Sequence, residues 1–170
     1  MATLHHNISG EVTKELLAPS DNYRVTRISL ANVQKVSNCK IDLYIEKKLT
    51  GRFYLLKNVD LPKGSTLIYD DIKFSNATNE FGLYTKLTDG ESFTITGTID
   101  PAASTTVPGS GTAFLSELSI GDEIVVSGET RTISAIASDT SLTVTSAFSN
   151  NANDLTPDCN PTALVDIIIN

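Results

Sequence analysis

The strongest constraint in this sequence is a period of two. Ile41, Leu43 and Ile45 face one way while Lys40, Asp42 and Glu46 face the other. Phe93, Ile95 and Ile99 alternate with Ser92, Thr94, Thr96 and Thr98, and Phe53, Leu55, Val59 and Leu61 form a third stripe interrupted by Lys57. Successive side chains of an extended chain point to opposite faces, so such stripes are half-buried sheet faces. Turn chemistry falls between them: Pro19-Ser20-Asp21-Asn22, Ser37-Asn38, Leu49-Thr50-Gly51, Pro62-Lys63-Gly64-Ser65, Asn76 to Asn79 and Thr88-Asp89-Gly90. The pattern predicts strands near 8–17, 23–33, 39–48, 52–60, 65–74, 82–87 and 91–99, the rhythm of an all-β sandwich or barrel.

An eighth strand is expected in Ala163 to Ile169, whose β-branched density suits a strand better than a helix. Before it, composition changes. Residues 101–160 are rich in Ser, Thr, Ala and Gly and carry seven acids and one base, a net charge of −6. The other 110 residues, with twelve bases and thirteen acids, carry −1. We therefore expect a jelly-roll-like β-sandwich from residues 1–100 plus 161–170, with residues 101–160 inserted before the last strand; an immunoglobulin-like order is the alternative. In the jelly-roll reading the last strand pairs antiparallel with the strand starting at Cys39, which sets Cys39 and Cys159 at opposite ends and disfavours a disulfide.

Within the insertion, Pro108-Gly109-Ser110-Gly111 reads as a linker or turn, followed by Thr112 to Leu118 and by strands at 123–127, 130–137 and 141–147 joined at Ser127-Gly128-Glu129 and Ser138-Asp139-Thr140. These four pieces predict a small SH3-like barrel with Phe114, Ile124, Val126, Ile133, Leu142, Val144 and Phe148 in its core.

Composition narrows the function. A net charge of −7 argues against a broad electrostatic footprint for nucleic acid or an anionic membrane. The longest apolar run, Ala163 to Ile169, is broken by Asp166 and falls far short of the ~18 residues a spanning helix needs. Residues 1–7 have neither a basic n-region nor an apolar h-region, so the chain is expected to fold in the cytoplasm with Cys39 and Cys159 as free thiols. The sequons at Asn7 and Asn76 then read as ordinary turn residues.

No set of residues announces catalysis, and no catalytic, metal or cofactor-binding residue is nominated. His5 and His6 are the only histidines, adjacent and near one end of the chain, and a metal would need two further ligands. Asp70-Asp71 and Asp122-Glu123 lack the spacing of a calcium loop, and neighbours on a strand diverge. Gly109-Ser110-Gly111 lacks the Lys and the βαβ setting of a phosphate loop. Lys47, Lys48 and Arg52 cluster at one turn with Tyr44, Phe53 and Tyr54, which could dock a phosphate or an acidic protein, although a solvated hairpin is the favoured reading. Tyr54, Tyr69 and Tyr84 could serve a sugar platform, with packing as their alternative fate; there is no Trp.

Several stretches carry a resemblance. Tyr23 to Asn32, Ile41 to Ile45, Phe53 to Val59, Leu61 to Leu67 and the ending Leu164 to Ile169 resemble small β-sandwich structural proteins of tailed bacteriophages, particularly marine ones. Gly111 to Phe114, Gly121 to Ile124, Thr130 to Ile133 and Ala137 to Val144 look like a module that recurs in phage virion proteins. The resemblance implies a non-enzymatic virion building block assembled in the host bacterial cytoplasm, without cofactors. A homo-oligomeric capsid decoration or cement protein that binds the major capsid protein is the leading expectation. A neck, tail or fibre-adaptor component bound to other virion proteins is the second, and a carbohydrate-binding receptor module is a third of another class.

Overall fold

The computed structural model describes residues 3–47, 50–101 and 103–170. The described residues are all-β apart from one helical turn. Strands β1 (Leu4–Ser9), β2 (Thr13–Leu17), β3 (Arg24–Asn32), β4 (Cys39–Lys47), β5 (Gly51–Leu61), β6 (Thr66–Ser75) and β7 (Gly82–Thr88) come first. Then follow β8 (Phe93–Thr94), β9 (Thr98–Ile99), β10 (Thr106–Ser110), helix α1 (Phe114–Glu117), β11 (Glu123–Val126), β12 (Glu129–Ser138), β13 (Ser141–Val144) and β14 (Asp158–Asn160), and β15 (Leu164–Ile169) ends the series. The chain divides into two compact units: residues 1–34, 38–89 and 163–170, and residues 35–37 and 90–162.

The first unit holds two four-stranded antiparallel sheets, ordered β1-β15-β3-β6 and β2-β7-β4-β5. Up to β7 the chain changes sheet at every connection except the β4–β5 hairpin and the step from β6 to β7 brings it back to the second sheet. All eight strands send side chains into one core, from Ile8 on β1 to Val165, Ile167 and Ile169 on β15. Those three β15 residues are fully buried, and burying each is worth about 1.5–3 kcal/mol.

Three expectations change here. The span 8–17 is two strands, because the chain turns at Gly10 (φ 82°), whose N–H donates to the Ala163 carbonyl at 2.8 Å. A positive φ is open to glycine without a Cβ clash, and the turn sends β1 to one sheet and β2 to the other. The last strand does not pair with the strand at Cys39: β15 lies between β1 and β3, and β4 lies between β7 and β5 in the opposite sheet. Residues 91–99 do not extend the sandwich. They form β8 and β9, separated by Gly97 at φ 84°, and their Ile95 and Ile99 belong to the core of the second unit.

The second unit is a seven-stranded antiparallel sheet ordered β8-β14-β11-β12-β13-β10-β9, and the sheet is not closed. All seven residues expected in its core are there, joined by Ile95, Ile99, Val107, Leu118 and Cys159. The β11–β12 turn has positive φ at Ser127 (50°) and Gly128 (81°), as a two-residue loop matching the strand twist requires. Pro108-Gly109-Ser110 is not a linker but part of β10. A Cβ on Gly109 would lie 2.3 Å from Thr112 Oγ1 and 2.8 Å from Phe114 Cζ, so the glycine makes room for the core. The strand-length piece 112–118 contains the single turn α1, which puts Phe114 and Leu118 on one buried face four residues apart.

Moving the boundary from residue 101 to residue 90 sharpens the charge contrast. The first unit has eleven acids and eleven bases, the second nine acids and two bases, so the second carries the whole −7.

One of those acids anchors a loop. Glu129 accepts from the Ser149 hydroxyl and N–H, from the Asn150 N–H and from Arg131. These donors hold its carboxyl well below the usual range, at about 2 against 4.5. A carboxyl with a depressed folded pKa stabilises fully above about pH 4.5 and loses that contribution as pH falls toward 2. Glu129→Gln should therefore unfold less steeply than wild type between those two values, as followed by circular dichroism at graded pH.

Candidate binding face

Register on the second sheet of the first unit aligns side chains across all four strands. Glu15 of β2 lies opposite Tyr84 of β7, Tyr84 opposite Tyr44 of β4, and Tyr44 opposite Tyr54 of β5. Their neighbours Leu43, Leu83 and Leu87 point into the core, so the row stands on the outer face. Tyr44 is 1% exposed despite facing outward. It is covered by Tyr84, stacked at 5.7 Å, by Tyr54, tilted at 5.4 Å, and by the Arg52 guanidinium, 4.8 Å above its ring. Gly82 leaves space for this arrangement, since a Cβ there would meet Tyr84 Cε2 at 2.8 Å.

The basic residues expected at one turn are held in the same lattice. Arg52 pairs with Glu46 at 2.6 Å, and Lys47 pairs with Glu80 at 2.9 Å while lying 5.9 Å from the Phe81 ring. Lys57, which breaks the apolar stripe of β5, sits 4.0 Å over Tyr54 and 3.5 Å from Asp42. Each cation thus has a ring and a carboxylate of its own. Exposed pairs of this kind contribute little individually, about 0–1 kcal/mol. Lys57 thus covers a face of Tyr54 that a sugar would stack on, and Tyr84 stacks on Tyr44. Phe53 is 52% exposed beside Phe81, and Lys48 lies outside the described residues.

Of the three tyrosines considered as sugar readers, Tyr54 and Tyr84 share the row, whereas Tyr69 lies on β6 opposite buried Ile28 and packs against the core. Tyr84 borders a groove of about 410 Å³ lined by Glu15, Pro19, Glu46, Lys47, Asn79 and Glu80. Lys57, Glu15, Glu46 and Phe81 were not legible as partners of the row. Their sequence signal is only that alternate residues of adjacent strands share a face, which becomes useful once strand order is known.

The remaining motifs do not assemble into sites. Asp70 pairs with Arg27 at 3.2 Å, while Asp71 adopts φ 59° beside it. Asp122 is fully buried and accepts from the N–H groups of Ser119 (2.8 Å) and Thr162 (2.9 Å), whereas Glu123 is exposed. No group of three or more His, Cys, Asp or Glu among the described residues could hold a metal ion. Cys39 and Cys159 are free and buried, each in the core of its own unit, and burial raises the Cys39 thiol to about 11 and moves Cys159 in the same direction. Asn7 donates to Asp166 at 2.6 Å. Asn76 is buried, accepting from the Tyr23 N–H and donating to the Ala18 carbonyl, so it ties two loops together. No helix of the described residues is long and apolar enough to cross a membrane.

The row has a titration signature. The Tyr84 hydroxyl donates to Glu15 at 2.6 Å, and that carboxylate, followed by burial, pushes the phenol up to about 12. Hydrogen bonding to Lys57 moves Tyr54 below the ordinary phenol value. Ultraviolet titration of the folded protein should show Tyr54 ionising well before Tyr84, and Tyr84→Phe should remove one of the late-ionising phenols, Tyr44 being raised by its burial as well.

No family model matches the chain, and no curated protein matches it. Among solved structures, a mitogen from Yersinia pseudotuberculosis is 15% identical, with 51% of this chain and 83% of that one covered and a TM-score of 0.27. Infectious bursal disease virus, Gx strain, is 7% identical with 99% and 31% covered and a TM-score of 0.27. A serine protease of Aeromonas sobria is 10% identical with 100% and 28% covered and a TM-score of 0.25. This chain thus spans about a third of the viral and protease chains, and likeness at this level assigns neither a fold nor an activity.

Proposed function

We propose that this chain is a non-enzymatic structural protein of a virion, a capsid decoration or cement protein whose first unit is a jelly roll that grips the major capsid protein. The observation that carries the reading is strand order: eight antiparallel strands in two sheets, β1-β15-β3-β6 facing β2-β7-β4-β5 across one core. The jelly roll is an eight-stranded double sheet of this kind, used in viral capsid and lectin domains. A fold hosts many functions, so strand order gains its meaning from the resemblance of five segments of the first unit to phage virion sandwiches.

Charge supports the same reading. A first unit with balanced charge suits a protein interface, and a second unit with a charge of −7 suits a solvated outer surface that gives DNA no grip. In this proposal the second unit is a small SH3-like β-module spliced before the last strand, the protein is homo-oligomeric, and assembly takes place in the bacterial cytoplasm.

Quantitative mass spectrometry of purified particles from the source phage tests the proposal. Abundance near that of the major capsid protein is the expected result. A handful of copies per particle would move the protein to the neck, tail or a fibre adaptor. Absence from the particle would overturn the virion reading and direct attention to glycan binding at the groove beside Tyr84.

A further inference from the structure

The edge of a sheet is a row of unpaired N–H and C=O groups, and folded chains blunt such rows with bulges, charges, proline or brevity. The sheets of the described residues end in six edge strands: β1 and β6, β2 and β5, β8 and β9. Five of them are blunted. β8 and β9 are two residues long. β2 breaks its ladder between Glu15 and Leu17 and carries Lys14 and Glu15. β5 breaks its ladder against β4, turns at Asn58 (φ 51°) and carries Arg52, Lys57 and Asp60. β6 breaks its ladder opposite Val25 and Arg27, turns at Asp71 (φ 59°) and carries Asp70, Asp71 and Lys73.

β1 has none of these devices. It pairs with β15 from Leu4–Ile169 to Ser9–Leu164 without a shift, and its residues include no Asp, Glu, Lys, Arg, Pro or Gly. The direction of its backbone groups follows from the ladder. Beyond β1 the Gly10 N–H donates to the Ala163 carbonyl, and bonding residues alternate along an antiparallel pair, so Ile8, His6 and Leu4 bond to β15. On the other side of β15 the Val33 N–H donates to the Leu164 carbonyl, as the same alternation requires. The N–H and C=O groups of His5, Asn7 and Ser9 therefore point out of the sheet, and the side chains of all three are exposed.

We propose that two copies of this chain pair antiparallel along β1, about a two-fold axis at Asn7, and join their β1-β15-β3-β6 sheets into one of eight strands. This rests on the homo-oligomeric part of the function proposed above and names the joint. Charge selects a second copy as the occupant. The chain's −7 opposes self-association, but all of it lies in the second unit, and an uncharged β1 meets its own copy with no like charges opposed. Geometry selects the register. An axis at Asn7 uses all three outward residues, setting Asn7 against Asn7 and His5 against Ser9 in both directions, as an isologous joint requires. Asn7 is already held in place by its bond to Asp166 at 2.6 Å.

Sedimentation equilibrium of the full chain, wild type and His5→Pro, tests the joint. Proline at position 5 removes an N–H that faces away from β15, so the fold should keep its near-ultraviolet circular dichroism while the dimer weakens about tenfold or more. Oxidative cross-linking gives a second readout that does not depend on proline. Asn7→Cys should form a covalent dimer, because residues exchanging hydrogen bonds across an antiparallel pair have Cα atoms about 5.5 Å apart, within disulfide reach. His5→Cys should not, since its two copies would lie about 14 Å apart along the strands. Cys39 and Cys159 are buried and give no background. A monomeric wild type, a dimer that His5→Pro leaves unchanged, or an Asn7→Cys that does not cross-link would each overturn the proposal. A dimer surviving His5→Pro would leave homo-oligomerisation standing through another surface. A monomeric wild type whose binding to particles is lost in His5→Pro would assign the edge to another virion protein instead of a second copy. Copy number in the particle is measured separately, so the virion reading can fail without this joint failing.

Discussion

The first unit depends on one strand that arrives late. β15 lies between β1 and β3, and its Val165, Ile167 and Ile169 fill the middle of a core to which all eight strands contribute. Without it β1 has no partner in its sheet and β3 is left with β6 alone. Burial of those three side chains is worth roughly 5–9 kcal/mol before entropy is counted, comparable to the whole net stability of an ordinary domain. The chain completes this sheet only after making a second unit with its own core. The route is fixed locally: the Asp89 carboxylate, at the end of the outgoing segment, accepts from the Ala163 N–H at 2.7 Å where the chain returns.

The two sheets of that unit serve different purposes. Inward, both are mainly aliphatic. Outward, the second sheet carries a row of tyrosines with cations over the rings and carboxylates beside the cations, while the enclosed Tyr44 hydroxyl has no hydrogen-bond partner among the described residues. Cross-strand pairs of this sort each contribute about 0.2–1 kcal/mol and fix register, because a one-residue slip would turn Tyr44 into the core and Leu43 out of it. All five tyrosines lie in this unit, while the net negative charge lies entirely in the other.

Much of this was legible in the alternation of residues. β3, β4, β5, β6 and β7 begin and end within a residue or two of the stripes and turn signals, since each stripe is bounded by Gly, Pro, Asn or Asp. The core of the second unit was equally readable, because its aliphatic positions have few competitors among Ser and Thr. Strand partners were not readable: pairing Cys39 with the last strand satisfied every local signal and was still wrong, as alternation tells which face is buried but not against which neighbour. The boundary was misplaced for a related reason. Phe93, Ile95 and Ile99 alternate like any sandwich strand, and only tertiary packing assigns them to the second core. Gly10, Gly97 and Gly109 show the same ambiguity in miniature, since one breaks a strand, one separates two short strands and one lies within a strand because a Cβ would strike Thr112 and Phe114.

The central claim is that residues 1–89 and 163–170 form a sandwich complete in itself, finished by β15. Replacing residues 90–162 with a short Gly/Ser linker and following urea denaturation by near-ultraviolet circular dichroism tests this most directly, since every tyrosine remains. The account predicts a single cooperative transition with the tyrosine signal of the intact protein. A chain that has lost its near-ultraviolet signal and unfolds without cooperativity would contradict it.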